Sequence, residues 1–178
     1  DVCSSDLELD RADLQLLQET IPKVKAAGKK LVLILNVCGP VDMRSYIDDV
    51  DAVVCIFFPG MEGGRATADM LCGKFSPSGK LPITFGKQYS DYGSSTSFPG
   101  CNMEVRYDED IYVGYRHFDR WGIQPLYPFG FGLSYTSFEI SNARLSEDSL
   151  ELEHWGSPTL SVDVTNTGAV AGKEVVQV

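Results

Sequence analysis

The sequence has 178 residues, of which 43% are hydrophobic, so it is long enough for one domain with a buried core and part of another. Its formal net charge of −10 has the wrong sign for binding phosphate backbones, and nucleic acid is therefore not an expected partner. No uninterrupted apolar run approaches the roughly 18 residues of a membrane-spanning helix, so no membrane partner is predicted.

Residues 1–7, DVCSSDL, are treated separately from the rest of the chain. They are the translation of GAC GTG TGC TCT TCC GAT CT, which is similar to the end of a common sequencing-library adapter. We expect an adapter or assembly scar here, although a native polar strand end is the alternative. The fold is therefore expected to begin at residue 8.

The first predicted element is a helix that ends at Gly28. If Thr20 is its N-cap, Pro22 falls in the first turn, where a missing N–H is tolerated. If the helix begins near Asp13 instead, Pro22 lies in its interior, at a cost of about 3 kcal/mol and with a kink. The sequence leaves both starts open.

Two apolar segments that follow are predicted to be parallel strands. Residues 31–36, LVLILN, are apolar at every position before the final asparagine, as in a central strand covered by helices on both faces. Residues 51–58 form the next such run after a short helix or turn. Alternation of strands and helices at short spacing predicts an α/β fold with an open, mostly parallel sheet and flanking helices.

The segment 59–85, PGMEGGRATADMLCGKFSPSGKLPITF, combines a strand exit, a glycine-opened helix and a turn before an extended segment at 81–85. It resembles the PGxEGGxAxADxLxGxxxPSGKLPxTF motif in the C-terminal half of family 3 glycoside hydrolases, the β-glucosidase and β-xylosidase group. Residues 109–139 resemble the segment that links the α/β sandwich domain of this family to a fibronectin type III-like domain. Residues 164–178, VTNTGAVAGKEVVQV, are similar to the start of that second domain.

The resemblance implies a domain organisation. Residues 8–133 correspond to the C-terminal α/β sandwich domain, and residues 134–178 to an incomplete all-β segment of the fibronectin type III-like kind. A complete domain of that kind takes about 100 residues and seven strands. Within the first domain, residues 102–119 alternate charged and aromatic side chains, which predicts an exposed hairpin or extended excursion.

The resemblance also implies an activity, the hydrolysis of terminal β-linked glucosides or xylosides with retention of configuration. Such enzymes use two carboxyl groups about 5 Å apart, a nucleophile and an acid/base. In the family the nucleophilic aspartate lies on a (β/α)8 barrel that this chain does not contain. The acid/base glutamate precedes the aspartate of a GEGxDR motif by three residues. Glu8, two residues before Asp10, is the candidate here, and the chain alone is expected to be inactive.

Other side chains are candidates for holding the loop of Glu8, for packing or for stacking on sugars. Asp10 and Arg11 are expected to form an ion pair that holds the loop of Glu8. Glu62, at the start of a helix, is assigned to packing rather than to a ligand. A set of aromatic residues is expected to fill a domain seam or to stack on sugars; it comprises Tyr107, Tyr112, Tyr115, Trp121, Tyr127 and Phe131. The sequence assigns no residue to substrate binding.

Several other chemistries are excluded by spacing. Residues 73–81 imitate a phosphate-binding loop but have Leu81 where Ser or Thr belongs, and no GxSxG is present. His117 and His154 share no ligand spacing with a cysteine, so neither a metal nor another cofactor is expected. The competing function is a non-catalytic carbohydrate-binding or scaffolding module, and a flavodoxin-like nucleotide binder ranks last.

The cysteines bear on the compartment. The five cysteines contain no CxxC pair, and those at positions 38, 55 and 72 lie within apolar segments. Thiols in such segments more often pack as small apolar groups than form bridges. Since neither a glycosylation acceptor nor a signal peptide is visible, we expect a cytoplasmic protein.

Overall fold

The structure, a computed structural model, describes residues 7–147 and 158–178. The described residues form two compact units, one made of residues 7–67 and 81–131, the other of residues 68–80, 132–147 and 158–178. All but the last residue of the expected scar lies outside the described residues. Within the described part of the chain, no helix has the length and apolar character needed to cross a membrane.

Helix α1 spans Arg11–Ala26. Asp10 is its N-cap, and its side chain accepts a backbone N–H of the first turn at 2.8 Å. Pro22 therefore lies inside the helix. The predicted start at Thr20 is wrong, and the predicted start near Asp13 is two residues from the observed one at Arg11. The helix ends as predicted at Gly28, which adopts a φ of 63° that favours glycine.

Strands β1, Val32–Leu35, and β2, Ala52–Cys55, form a parallel pair in the first unit. Their register runs from Val32 opposite Ala52 to Leu35 opposite Cys55. The parallel pairing was predicted, but both strands are shorter than the apolar runs that contain them. Helix α2, Gly63–Leu71, follows β2 after the glycine-containing turn, in line with the predicted helix.

The core of the first unit joins the N-terminal segment to the loop after β1. Its fully buried side chains are Val41, Met43 and Phe85. The remaining buried members are Leu9, Ile21, Leu35, Val37 and Tyr46. Complete burial of an aliphatic or aromatic side chain stabilises a fold by about 1.5–3 kcal/mol. The residues around Glu8 are thus fixed to the same core as residues 37–46.

The predicted extended segment 81–85 pairs with residues 127–131 rather than with the parallel sheet. The Leu81 N–H donates to Phe131 O at 2.8 Å, and the Phe85 N–H donates to Tyr127 O at 2.9 Å. Phe85 and Tyr127 form an isolated antiparallel bridge. The Pro- and Gly-rich segment 127–132 is not helical, as predicted.

The excursion at residues 102–119 is partly as expected. Residues 102–114 belong to no helix or strand, and the nearest pairing is an isolated bridge between Cys101 and Glu104. The short helix α3, Tyr115–Trp121, was not predicted. It lies between Gly114 and Gly122, which have φ values of 57° and 63°. Two 3-10 helices, Tyr89–Asp91 and Gly93–Thr96, precede the excursion.

The second unit contains strands β3, Phe138–Leu145, and β4, Leu160–Asn166, which pair antiparallel. The register shifts between Ser141 and Arg144, which marks a bulge or a similar irregularity. Two strands of this kind agree with an all-β segment. The assignment of residues 134–178 to a fibronectin type III-like domain stays a prediction, since its residues 148–157 lie outside the described part.

Candidate functional site

A cleft of about 370 Å³ opens on the first unit next to the N-terminal segment. Its walls come from three places: the residues before α1, the first turn of α1, and the loop that follows β1. The lining residues are Glu8, Leu9, Leu14, Asp42, Arg44 and Ser45. The cleft thus combines two apolar side chains with two carboxylates, a guanidinium and a hydroxyl, which suits a polar ligand with some apolar surface.

Glu8 is positioned by anchors on both sides. The Leu7 carbonyl accepts the backbone N–H of Asp42 at 2.8 Å, and Leu9 is buried in the core. Asp10 then caps α1. The backbone of Glu8 is therefore held in place while its side chain stays exposed at the cleft.

Arg44 and Asp42 form a charge pair at the wall of the cleft. Arg44 Nη2 lies 2.5 Å from Asp42 Oδ2, and Nε lies 3.0 Å from both carboxylate oxygens. A third donor, Nη1, contacts Gln88 Oε1 at 2.7 Å. Such multidentate, charge-assisted contacts are among the strongest that side chains make. They fix the guanidinium between two parts of the first unit.

The pKa values of both groups are shifted in the direction that favours the ion pair. The hydrogen bond from Arg44 holds the pKa of the Asp42 carboxyl below its ordinary value, although partial burial opposes the effect. Donating this hydrogen bond to Asp42 raises the pKa of Arg44, and the charge of Glu8 makes a smaller contribution in the same direction. Asp42 is therefore ionised, and its carboxylate is bound by Arg44.

The ion pair with Arg44 limits the reactions in which Asp42 could take part. A retaining glycosidase needs one carboxylate to attack the anomeric carbon and a second carboxyl to protonate the leaving oxygen. Asp42 is ill suited to attack, because its oxygens are already bound by the guanidinium. Glu8 is exposed at the cleft. Of the two carboxylates that line the cleft, only Glu8 is not bound by Arg44 in the contacts described above.

Tyr46 shows an unusual feature beneath the same loop. It is 3% exposed, and among the described residues its hydroxyl has no hydrogen-bond partner. Burial raises the pKa of this phenol strongly, and the charge of Asp42 adds to the effect. Most buried polar groups are paired, so this hydroxyl is an exception in the core of the first unit.

The two other acids singled out from the sequence lie in structural positions. Asp10 caps α1, and no ion pair of the described residues joins it to Arg11, so the expected pair is wrong. Glu62 is exposed just before α2, and its carbonyl accepts the Ala66 N–H at 2.9 Å. It does not line the cleft.

The aromatic set does not form one flat surface. Its rings divide into separate contacts, and Tyr107, 88% exposed, joins none of them. Three of the ring contacts are Tyr112 edge-on to Trp121 at 5.6 Å, Tyr115 tilted against Phe129 at 5.4 Å, and Tyr127 stacked on Phe131 at 4.9 Å. Most of these rings pack against one another rather than line up for a sugar.

One pair of site residues was missed from the sequence, and one expectation from the sequence is wrong. Asp42 and Arg44 were not predicted, although they lie in the loop after a parallel strand, where open α/β sheets bind ligands. The expectation that Cys38 and Cys72 pack in apolar surroundings is wrong, because both are exposed. No group of metal-binding side chains is present in the part of the chain that the structure covers.

Comparison with known proteins identifies the family. The model of the glycosyl hydrolase family 3 C-terminal domain matches residues 3–135. The β-glucosidase of Rhizobium radiobacter is 40% identical, over 95% of this chain and 21% of that protein. β-Glucosidase BoGH3A of Bacteroides ovatus is 39% identical, over 89% and 21%.

Solved structures agree with these sequence relatives. β-Glucosidase 3B from Thermotoga neapolitana in complex with glucose superposes with a TM-score of 0.82 at 39% identity, covering 97% of this chain and 24% of that one. A β-glucosidase from Bifidobacterium adolescentis superposes with a TM-score of 0.77 at 31% identity, covering 91% and 23%. The chain thus spans about a fifth to a quarter of the relatives it matches. It belongs to glycosyl hydrolase family 3 and carries the C-terminal domain of that family.

Proposed function

We propose that this chain is the C-terminal part of a retaining β-glycosidase that hydrolyses terminal β-linked glucosides or xylosides. The observation that carries the proposal is the family match over residues 3–135, with β-glucosidases as the relatives. The remaining part of the protein would include the (β/α)8 barrel with the nucleophilic aspartate. The chain by itself would then be inactive, since it cannot form the covalent glycosyl intermediate.

Within that protein, Glu8 is proposed as the acid/base. It would protonate the leaving oxygen while the barrel aspartate attacks, and then accept a proton from the water that hydrolyses the intermediate. The geometry that supports this role is the exposed side chain of Glu8 at a cleft, between anchored neighbours. Asp42 and Arg44 would position the loop rather than react.

The alternative, a non-catalytic carbohydrate-binding or scaffolding module, has weaker support. Sugar binding by stacking requires flat, accessible ring faces, and several rings of the aromatic set are turned edge-on or stacked on each other. We therefore retain the glycosidase as the proposed function.

The test is Glu8→Gln in the full-length protein. General acid catalysis is worth about 10²–10⁴-fold, so kcat/KM for cellobiose should fall by that factor. The rate with 2,4-dinitrophenyl β-glucoside should fall far less in its first step, because that leaving group departs without a proton.

Asp13→Asn, a change of another acid nearby in the sequence, serves as the matched control and should leave both substrates unaffected. If Glu8→Gln turned over cellobiose at the wild-type rate, or slowed both substrates equally, Glu8 would not be the acid/base. Activity of the wild-type protein on neither a β-glucoside nor a β-xyloside would contradict the proposed function itself.

A further inference from the structure

Arg44 retains two unused hydrogen-bond donors at the wall of the cleft. An arginine side chain carries five N–H groups, one on Nε and two on each terminal nitrogen. The Nε–H is shared between the two carboxylate oxygens of Asp42, while Nη2 donates to Asp42 and Nη1 to Gln88. The second N–H of each terminal nitrogen has no hydrogen-bond partner among the described residues. Since the Arg44 side chain is 54% exposed, both groups are accessible to a ligand.

The guanidinium is held in place before any ligand binds. Its partner Asp42 is 14% exposed and is anchored through its backbone N–H, which donates to the Leu7 carbonyl at 2.8 Å. The Arg44 backbone N–H donates to Asp42 Oδ1 at 3.0 Å, and Met43 between them is 1% exposed. A ligand would therefore meet donors that have already lost most of their conformational freedom, which lowers the entropic cost of binding.

The groups around Arg44 indicate a neutral, hydroxyl-rich ligand. An anion would be repelled by the carboxylates of Glu8 and Asp42, and a cation would lie against the guanidinium. A sugar hydroxyl is uncharged and both donates and accepts, so it can pair with the Arg44 N–H groups and with a carboxylate oxygen. Leu9 and Leu14 offer apolar surface to the C–H groups of a sugar ring. The volume of about 370 Å³ is within the range of small-molecule sites.

We infer that Arg44 is a substrate-binding residue that donates hydrogen bonds to the hydroxyl groups of the sugar released as the leaving group. The choice of the leaving sugar rests on the proposed function, in which Glu8 lines the same cleft and protonates the leaving oxygen. Arg44 thereby favours a substrate whose leaving group is a sugar over one whose leaving group is a nitrophenol, since a nitrophenol has no such hydroxyl groups.

Kinetics of Arg44→Met in the full-length protein test this role. The change keeps an unbranched apolar stem and removes the donors. We expect kcat/KM for cellobiose, or for β-1,4-xylobiose if the enzyme acts on xylosides, to fall by about 10- to 100-fold, the effect of losing hydrogen bonds to a charged group. The value for the p-nitrophenyl glycoside of the same sugar should change by less than about twofold. An equal loss with both substrates would mean that Arg44 only supports the loop, and would overturn the inference.

Two further variants separate binding from folding and from charge. Arg11→Met is the matched control, because Arg11 is exposed and close to Glu8 in sequence but does not line the cleft; it should leave both substrates unaffected. Arg44→Lys keeps a positive charge beside Asp42 and carries the test if Arg44→Met does not fold. Its single nitrogen cannot reproduce the planar fork, so kcat/KM for the disaccharide should still fall at least about fivefold. Wild-type kinetics of Arg44→Lys on the disaccharide would contradict the inference.

Binding of a sulfur-linked disaccharide separates this inference from the proposed activity, because its bond resists hydrolysis. Isothermal titration calorimetry of the full-length protein with thiocellobiose, or thioxylobiose, should give a Kd at least about tenfold higher for Arg44→Met than for wild type. The methyl thioglycoside, which lacks the second sugar, should bind both proteins equally. Weaker disaccharide binding by Arg44→Met, in a protein that hydrolyses no glycoside, would support the inference while refuting the activity. Equal disaccharide affinities, or no binding by the wild-type protein, would overturn it.

Discussion

The sharpest prediction about stability concerns Lys80, which ends the segment 68–80 of the second unit. Its Nζ donates to the Gly132 carbonyl at 2.8 Å and lies 3.0 Å from Glu174 Oε1. The two charged side chains are 17% and 15% exposed. The ammonium group therefore binds a backbone carbonyl and a carboxylate whose side chain is mostly shielded from water.

Lys80→Met keeps the aliphatic stem and removes these contacts. Loss of a partner costs about 3–5 kcal/mol in a fully buried pair. Neither group here is fully buried, and Glu174 still accepts the Val175 N–H at 2.8 Å. We therefore expect a loss of about 2–3 kcal/mol, the range of a charge-assisted hydrogen bond.

Lys74→Met is the matched control in the same unit. Lys74 pairs with Asp69 at 2.6 Å but is 67% exposed, so this change should cost less than about 1 kcal/mol. Native-state hydrogen exchange of the β3 and β4 amides gives the unfolding free energy of this unit. Equal losses for the two variants would refute the reasoning that shielding makes the Lys80 contacts strong.

Three changes at the loop under the cleft give further predictions. Asp42→Asn should reduce the loss of unfolding free energy that the wild-type protein shows as the pH falls below about 4. Arg44 holds the folded pKa of Asp42 low, so its contribution is present above the unfolded pKa and lost as pH falls through the folded value; urea midpoints measured against pH check this. Tyr46→Phe should raise the unfolding free energy by about 1 kcal/mol, because the buried hydroxyl has no partner among the described residues; a loss would reveal one. Met43→Ala should cost about 2–5 kcal/mol in urea unfolding, since Met43 is 1% exposed; a loss below 1 kcal/mol would contradict its place in the core.

The sequence was most informative where local patterns and the fold agree. The apolar runs around Val32 and Ala52 predicted a parallel pair because short runs bounded by turn residues have few other solutions. Gly28 predicted the end of α1 for a similar reason, since a positive φ after a helix favours glycine.

The failures have identifiable physical causes. The start of α1 was left open between Thr20 and a point near Asp13, and the structure places the N-cap at Asp10, whose side chain accepts the Ala12 N–H. The exposure of Cys38 and Cys72 depends on which face of each segment meets the core, which local composition does not give.

The cleft could be predicted only in part. Glu8 was found through a motif that lies next to it in sequence, whereas its neighbour Arg44 is 36 positions away along the sequence. Arg44 is brought to the cleft by the burial of Val41 and Met43 and by its contact with Gln88. Contacts of this range follow from the tertiary fold and leave no periodic signal in the sequence.

The most direct measurement compares this chain with the full-length protein on p-nitrophenyl β-glucoside and β-xyloside at equal concentration. We expect release of nitrophenol by the full-length protein and no release above the buffer rate by the chain. Turnover by the purified chain would contradict it, because the attacking carboxylate would then have to lie within these 178 residues.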